Sequence, residues 1–189
     1  MKEFKISVEV CLGYHCSGRG EYATGNGTVR FEDEQISQLV ALIRENGGET
    51  DIEKLGLQER LPSVYEELES SYREAASEAC YRHWLIYGFE NGYLEEPEGL
   101  IETLEEAGLF KYDPSPSDND EEDVDDEGAK SDAFYEWLGS YFDSLSEDEQ
   151  VKFIETYYDD LEDTNDIGVY DYTIEIPQEI VDQACGGTD

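Results

Sequence analysis

The chain has 189 residues, of which 49 are Asp or Glu and 12 are Lys or Arg, so its formal net charge is −37. That balance excludes direct nucleic-acid binding, because phosphate recognition needs clustered cations. A content of 38 % hydrophobic and 12 % aromatic residues still supplies a core, and the length removes any need for disulfide or metal staples.

No apolar run approaches the ~20 residues that a membrane-spanning helix requires, so no membrane partner is expected. The amino terminus alternates from Phe4 onward and shows no basic stretch followed by an apolar block. The expected location is the cytoplasm. Cys11, Cys16, Cys80 and Cys185 are too few and too unevenly spaced for a secreted disulfide framework, and are expected as free thiols.

Phe4, Ile6, Val8, Val10 and Leu12 alternate with Lys5, Ser7, Glu9 and Cys11, the period of a strand with one buried face. Glycines then punctuate the chain, and Tyr22, Thr28, Val29 and Phe31 predict a returning strand with a bulge near Asn26-Gly27. Asp33 is placed to cap a helix carrying Ile36, Leu39, Val40 and Ile43, which Gly47-Gly48 ends. Thr50 and Glu53 have the spacing of a capping box for a short turn.

Pro62 starts the longest predicted helix, running to about Tyr87, with a core-facing seam of Val64, Leu68, Tyr72, Ala75, Ala79, His83 and Ile86. Pro97 has the position of a first helical residue, and the pattern of Leu100, Ile101 and Leu104 continues to Gly108. Residues 113–130 carry many acids, two prolines and one aliphatic side chain, Val124, and are expected to be a solvated linker or loop. Two antiparallel helices should follow, one with Phe134, Trp137, Leu138, Tyr141 and Phe142. The other follows the Ser146–Glu149 capping box and carries Phe153, Ile154, Tyr157, Tyr158 and Leu161. A last strand over 169–176 and a short helix after Pro177 complete the chain.

A lone final strand must find a sheet, and the other strands lie at the amino terminus. The expected fold is therefore α+β, with a small antiparallel sheet made of the N-terminal hairpin and the C-terminal strand, packed against several helices. One domain is favoured, organised as residues 1–112, the acidic segment 113–130, and an acidic, aromatic-rich helical hairpin with its final strand over 131–189. The alternative is a separate acidic helical unit after residue 131.

Several patterns imitate functional motifs. Gly18, Gly20 and Ala23 fit a dinucleotide-binding turn, but the segment runs into Thr24-Gly25-Asn26-Gly27 and opens no helix. Asp123, Asp125, Glu127 and Gly128 begin like a calcium loop, yet Phe134 stands where the bidentate glutamate belongs. Cys11, His15, Cys16, Cys80 and His83 are the one group with metal-ligand types, and could equally supply a thiol nucleophile and its imidazole base. Without paired Cys-x2-Cys knuckles, buried thiols and a core histidine are the simpler expectation. No cofactor is implied, and no motif points to a known family.

The charge is uneven. Residues 1–112 carry 23 acids and 10 cations, whereas residues 113–189 carry 26 acids and 2 cations. In the first part Glu69 with Arg73 and Glu78 with Arg82 have the spacing of helical ion pairs. In the second, Glu155, Asp159 and Asp163 repeat at the same spacing, with Lys152 the nearby cation. On one helix such a row costs about 0.2–0.5 kcal/mol per like-charged pair and brings no structural return. Dense carboxylates resemble the charge a DNA-binding surface meets, since the duplex carries one charge per ~1.7 Å of axis. The leading expectation is a non-enzymatic interaction protein with a basic protein partner, of the DNA-mimic type, contacting it through Glu155, Asp159, Asp163, Tyr135 and either Tyr157 or Tyr158. Charge serving solubility alone is the competing expectation, and a thiol- or zinc-dependent enzyme the third.

Overall fold

The computed structural model describes residues 1–14, 20–113, 126–158 and 171–186. Among them are seven helices and a three-stranded antiparallel sheet, the expected α+β class. Two compact units emerge, Met1–His83 together with Ile167–Asp189, and Trp84–Asp166.

In the first unit, β1 (Lys2–Tyr14) and β2 (Gly20–Phe31) form the hairpin. The alternation of β1 is real: Phe4, Ile6, Val8, Val10 and Leu12 are buried, and Lys5, Ser7 and Glu9 face solvent. The bulge lies between Cys11 and Gly13 and not at Asn26-Gly27, where the ladder runs unbroken. Gly25 and Gly27 serve packing instead. A Cβ on Gly25 would collide with the Ala75 carbonyl and approach the Ala79 Cβ to 3.1 Å, and one on Gly27 would meet the Ala75 Cβ at 3.1 Å. The two glycines thus let a helix lie close on the sheet.

That helix is α3 (Pro62–Glu90). Its seam holds through Val64, Leu68, Tyr72, Ala75 and Ala79, all buried; farther on, Leu85 is buried while His83 and Ile86 are half-buried. Before it come α1 (Asp33–Glu45) and the short α2 (Leu57–Arg60). The cap of α1 is Glu32 and not Asp33, because the Gln35 side chain returns to accept the Glu32 N–H at 2.8 Å. The turn before α2 is capped by Asp51 in place of the expected Thr50–Glu53 box, its Oδ1 accepting from the amides of Glu53 and Lys54 at 3.0 and 3.2 Å.

The final strand, β3, is limited to Asp171–Tyr172 and pairs with β1 at Cys11 and Val10, giving the order β2-β1-β3. Its expected beginning at 169 lies outside the described residues, and Thr173–Pro177 make no ladder, so the strand is shorter than its apolar pattern suggests. α7 (Gln178–Cys185) follows. Arg44 fastens it to α1 by donating to the carbonyls of Ala184 and Gln183 at 3.0 and 2.8 Å, a cation at a helix C-terminus where the dipole favours one.

The second unit contains the end of α3, then α4 (Leu100–Glu106), α5 (Asp126–Ser144) and α6 (Glu147–Tyr157). α3 closes in a Schellman motif. Gly92, at φ +67°, reverses the chain while the amides of Tyr93 and Gly92 bond the carbonyls of Gly88 and Phe89 at 2.8 and 3.1 Å. α4 begins at Leu100 and not at Pro97, whose carbonyl instead closes a turn with the Leu100 amide.

α5 begins at Asp126, so the final residues of the expected linker are helical. Lys130 binds Glu105 at 2.7 Å there, a partner distant in sequence that local composition cannot disclose. The Ser146–Glu149 capping box at the start of α6 is present in full. Among the described residues, no helix is long and apolar enough to cross a membrane.

Candidate functional site

The second unit is held by rings. Phe89 stacks on Phe142 at 3.9 Å between centroids and meets Tyr158 edge-on at 5.4 Å. Trp137 stacks on Tyr141, one helical turn away, at 4.9 Å, and Phe110 packs against Phe134 and Trp137 at 5.2 and 5.0 Å. Edge-on and offset arrangements of this kind suit the quadrupoles of aromatic rings. The Gln150 side chain donates to the Phe142 carbonyl at 3.1 Å, tying α6 to the end of α5.

Beside this cluster lies a cavity of about 530 Å³, within the range of small-ligand pockets. Phe89, Leu138 and Phe142 form apolar wall, and Glu90, Glu96 and Asp143 bring carboxylates to it. Gly139 stands in the middle of α5, and apart from its chain neighbours and the helix's own backbone no atom lies within 4 Å of where a Cβ would be, so the helix surface is open there. No Lys or Arg lines the cavity among the described residues.

Two tyrosines complete the wall. Tyr135 is 49 % exposed, and its hydroxyl donates to both carboxylate oxygens of Glu96 at 3.0 and 2.9 Å. That hydrogen bond, with burial and the negative charge of Glu96, raises the Tyr135 pKa. Of the two tyrosines between which the expected surface contact lay, Tyr157 is half-buried and Tyr158 is only 8 % exposed, so Tyr158 is not a surface contact. The physical reason is that α6 stops at Tyr157: Tyr158 turns extended, at φ −104° and ψ 133°, and swings its ring onto Phe89. Burial, then Glu96 and Tyr135, pushes its hydroxyl up to about 12. No described residue hydrogen-bonds that hydroxyl.

The row of Glu155, Asp159 and Asp163 needed one continuous helix. α6 ends at Tyr157 with Glu155 exposed on it, while Asp159 and Asp163 lie outside the described residues. Of the metal-type residues, His15 and Cys16 also lie outside them. Cys11 is half-buried in β1, and Cys80 and His83 are a helical turn apart on α3. Burial pushes the Cys80 thiol up, away from the thiolate that a nucleophile or ligand needs. Among the described residues, no three His, Cys, Asp or Glu side chains are grouped to hold a metal ion. Of the motif imitations, Gly20 and Ala23 belong to β2 and Gly128 to α5, whereas Gly18, Asp123 and Asp125 lie outside the described residues.

The sequence reading missed Glu96, Tyr158 as a wall residue, and the cavity itself. One signal was available: Gly139 interrupts an otherwise aromatic helix where alanine would be favoured. No family model matches the chain, and no curated protein or solved structure matches it.

Proposed function

We propose that the protein is a non-enzymatic, acidic interaction protein whose unit Trp84–Asp166 binds a basic protein, in the manner of a DNA mimic that occupies a groove otherwise filled by nucleic acid. The observation that carries this reading is charge: the unit has 28 acidic and 3 basic residues, a net charge of −25. Of those cations, Lys130 is already engaged with Glu105. Such an excess opposes compaction of the unit by self-repulsion and steers cationic partners toward it.

The first unit supports the reading by contrast. It holds 21 acids and 9 cations, and four of those cations sit in ion pairs: Arg30 with Glu3, Lys54 with Glu49 and Asp51, Arg60 with Glu45, and Arg73 with Glu69. The test is capture from a lysate of the source cells on the immobilised full chain at low salt, with duplex DNA as competitor. A basic nucleic-acid-binding protein, retained selectively, released sharply by salt and displaced by the duplex, is the expected result. A smear of many basic proteins, indifferent to the duplex, would mean that the charge serves solubility.

A further inference from the structure

The cavity beside the ring cluster has the chemistry of a cation receptor. Its wall combines aromatic rings with Glu90, Glu96 and Asp143, and no Lys or Arg among the described residues neutralises them. Tyr158 contributes a second, independent feature. It is more than nine-tenths buried, lines the cavity, and has a hydroxyl that no described residue engages.

Glu96 is held in place by the Tyr135 hydroxyl, yet each carboxylate oxygen has lone pairs to spare for further donors. We infer that this cavity receives an arginine side chain of the basic partner, its guanidinium donating to Glu96 and to the Tyr158 hydroxyl while its planar face lies against the aromatic wall. The inference rests on the proposed reading and names the point at which the partner is gripped.

Arginine fits better than lysine on three counts. Its five N–H donors spread in a plane and can serve Glu96, Tyr158 and the rim carboxylates together, whereas an ammonium is a compact point charge. It sheds water at lower cost on entering a partly apolar site. It also stacks on rings, adding a cation–π attraction. An anionic ligand would meet three carboxylates and no cation, and a neutral apolar one would leave those carboxylates and the Tyr158 hydroxyl without donors or acceptors.

The test uses the full chain and a tripeptide, acetyl-Gly-Arg-Gly-amide, followed by nuclear magnetic resonance at about 0.15 M salt, where exposed charges are screened beyond ~8 Å. The counterpart peptide carries citrulline, which keeps the shape and loses the charge. The expected result is saturable shifts of the Tyr135, Leu138 and Gly139 amides with the arginine peptide and none with citrulline. Glu96→Gln should weaken binding by about tenfold, the scale of one charge-assisted hydrogen bond.

Gly139→Leu leaves every charge in place and fills the open helix surface, and should weaken binding at least as much. Should Gly139→Leu fail to fold, Tyr158→Phe, which removes only the hydroxyl, puts the same question. Equal binding of citrulline, or Gly139→Leu or Tyr158→Phe binding as tightly as the parent, would overturn the inference. The two readings fail separately. If a basic protein is captured equally by the parent and by Glu96→Gln while the peptide leaves the cavity signals unmoved, the arginine receptor falls and the acidic interaction protein stands. If the peptide binds the cavity but no basic protein is captured, the wider reading falls.

Discussion

The Tyr135 hydroxyl reaches both carboxylate oxygens of Glu96, joining α5 to the loop after α3 across 39 positions of sequence. The bond favours the neutral phenol, and Tyr158 beside it is held neutral more strongly, by burial and by the same carboxylate, to about 12. An unfolded tyrosine loses its proton near pH ~10, so above that pH the folded chain binds more protons than the unfolded one. Stability contributed by these groups is therefore complete below pH ~10 and falls as the pH rises toward the folded values. The urea midpoint should decline between about pH 10 and 12, and Tyr158→Phe should flatten that decline. A slope indifferent to Tyr158→Phe would contradict the assignment.

Gly25 is predicted to tolerate no side chain. Because α3 lies where its Cβ would be, with the Ala75 carbonyl in the way, Gly25→Val must push the helix off the sheet. Overpacking of this kind costs about 1–3 kcal/mol. Urea denaturation checks it, and a variant as stable as the parent would show that the helix does not rest on the glycine.

Gly139 should behave in the opposite way. Beyond its chain neighbours and the helix's own backbone, nothing lies within 4 Å of its absent Cβ, and alanine is favoured over glycine inside a helix by about 0.5–1 kcal/mol. Gly139→Ala is expected to raise the urea midpoint, and destabilisation would show that the helix surface there is filled.

A net charge of −37 makes the folded chain repel itself, and salt screens that repulsion. The melting temperature should rise between low and moderate sodium chloride. A fall would mean that attractive ion pairs outweigh the repulsion.

What the sequence disclosed and what it hid divide along physical lines. The β1 alternation from Phe4 to Leu12 and the Ser146–Glu149 box are local patterns, and both appear in the fold as expected. Gly25 and Gly27 carried a signal that local rules assign to a bulge, whereas their role is set by a helix some 50 residues away in the chain. Tyr158 was misplaced because helical periodicity was carried past the end of α6, where the backbone turns extended. Glu96 sits between α3 and α4 in a segment with no period to read, so only the folded chain brings it to Tyr135.

The central claim is that the acidic unit binds a basic protein through its charge. It is tested most directly by comparing retention of the captured protein by the parent chain and by one carrying Glu155→Lys, Asp159→Lys and Asp163→Lys. Circular dichroism and the urea midpoint would show that the fold is intact. The reversal takes the unit's net charge from −25 to −19, so the captured protein should be released at lower salt while the fold persists; unchanged retention by the charge-reversed chain would contradict binding through charge.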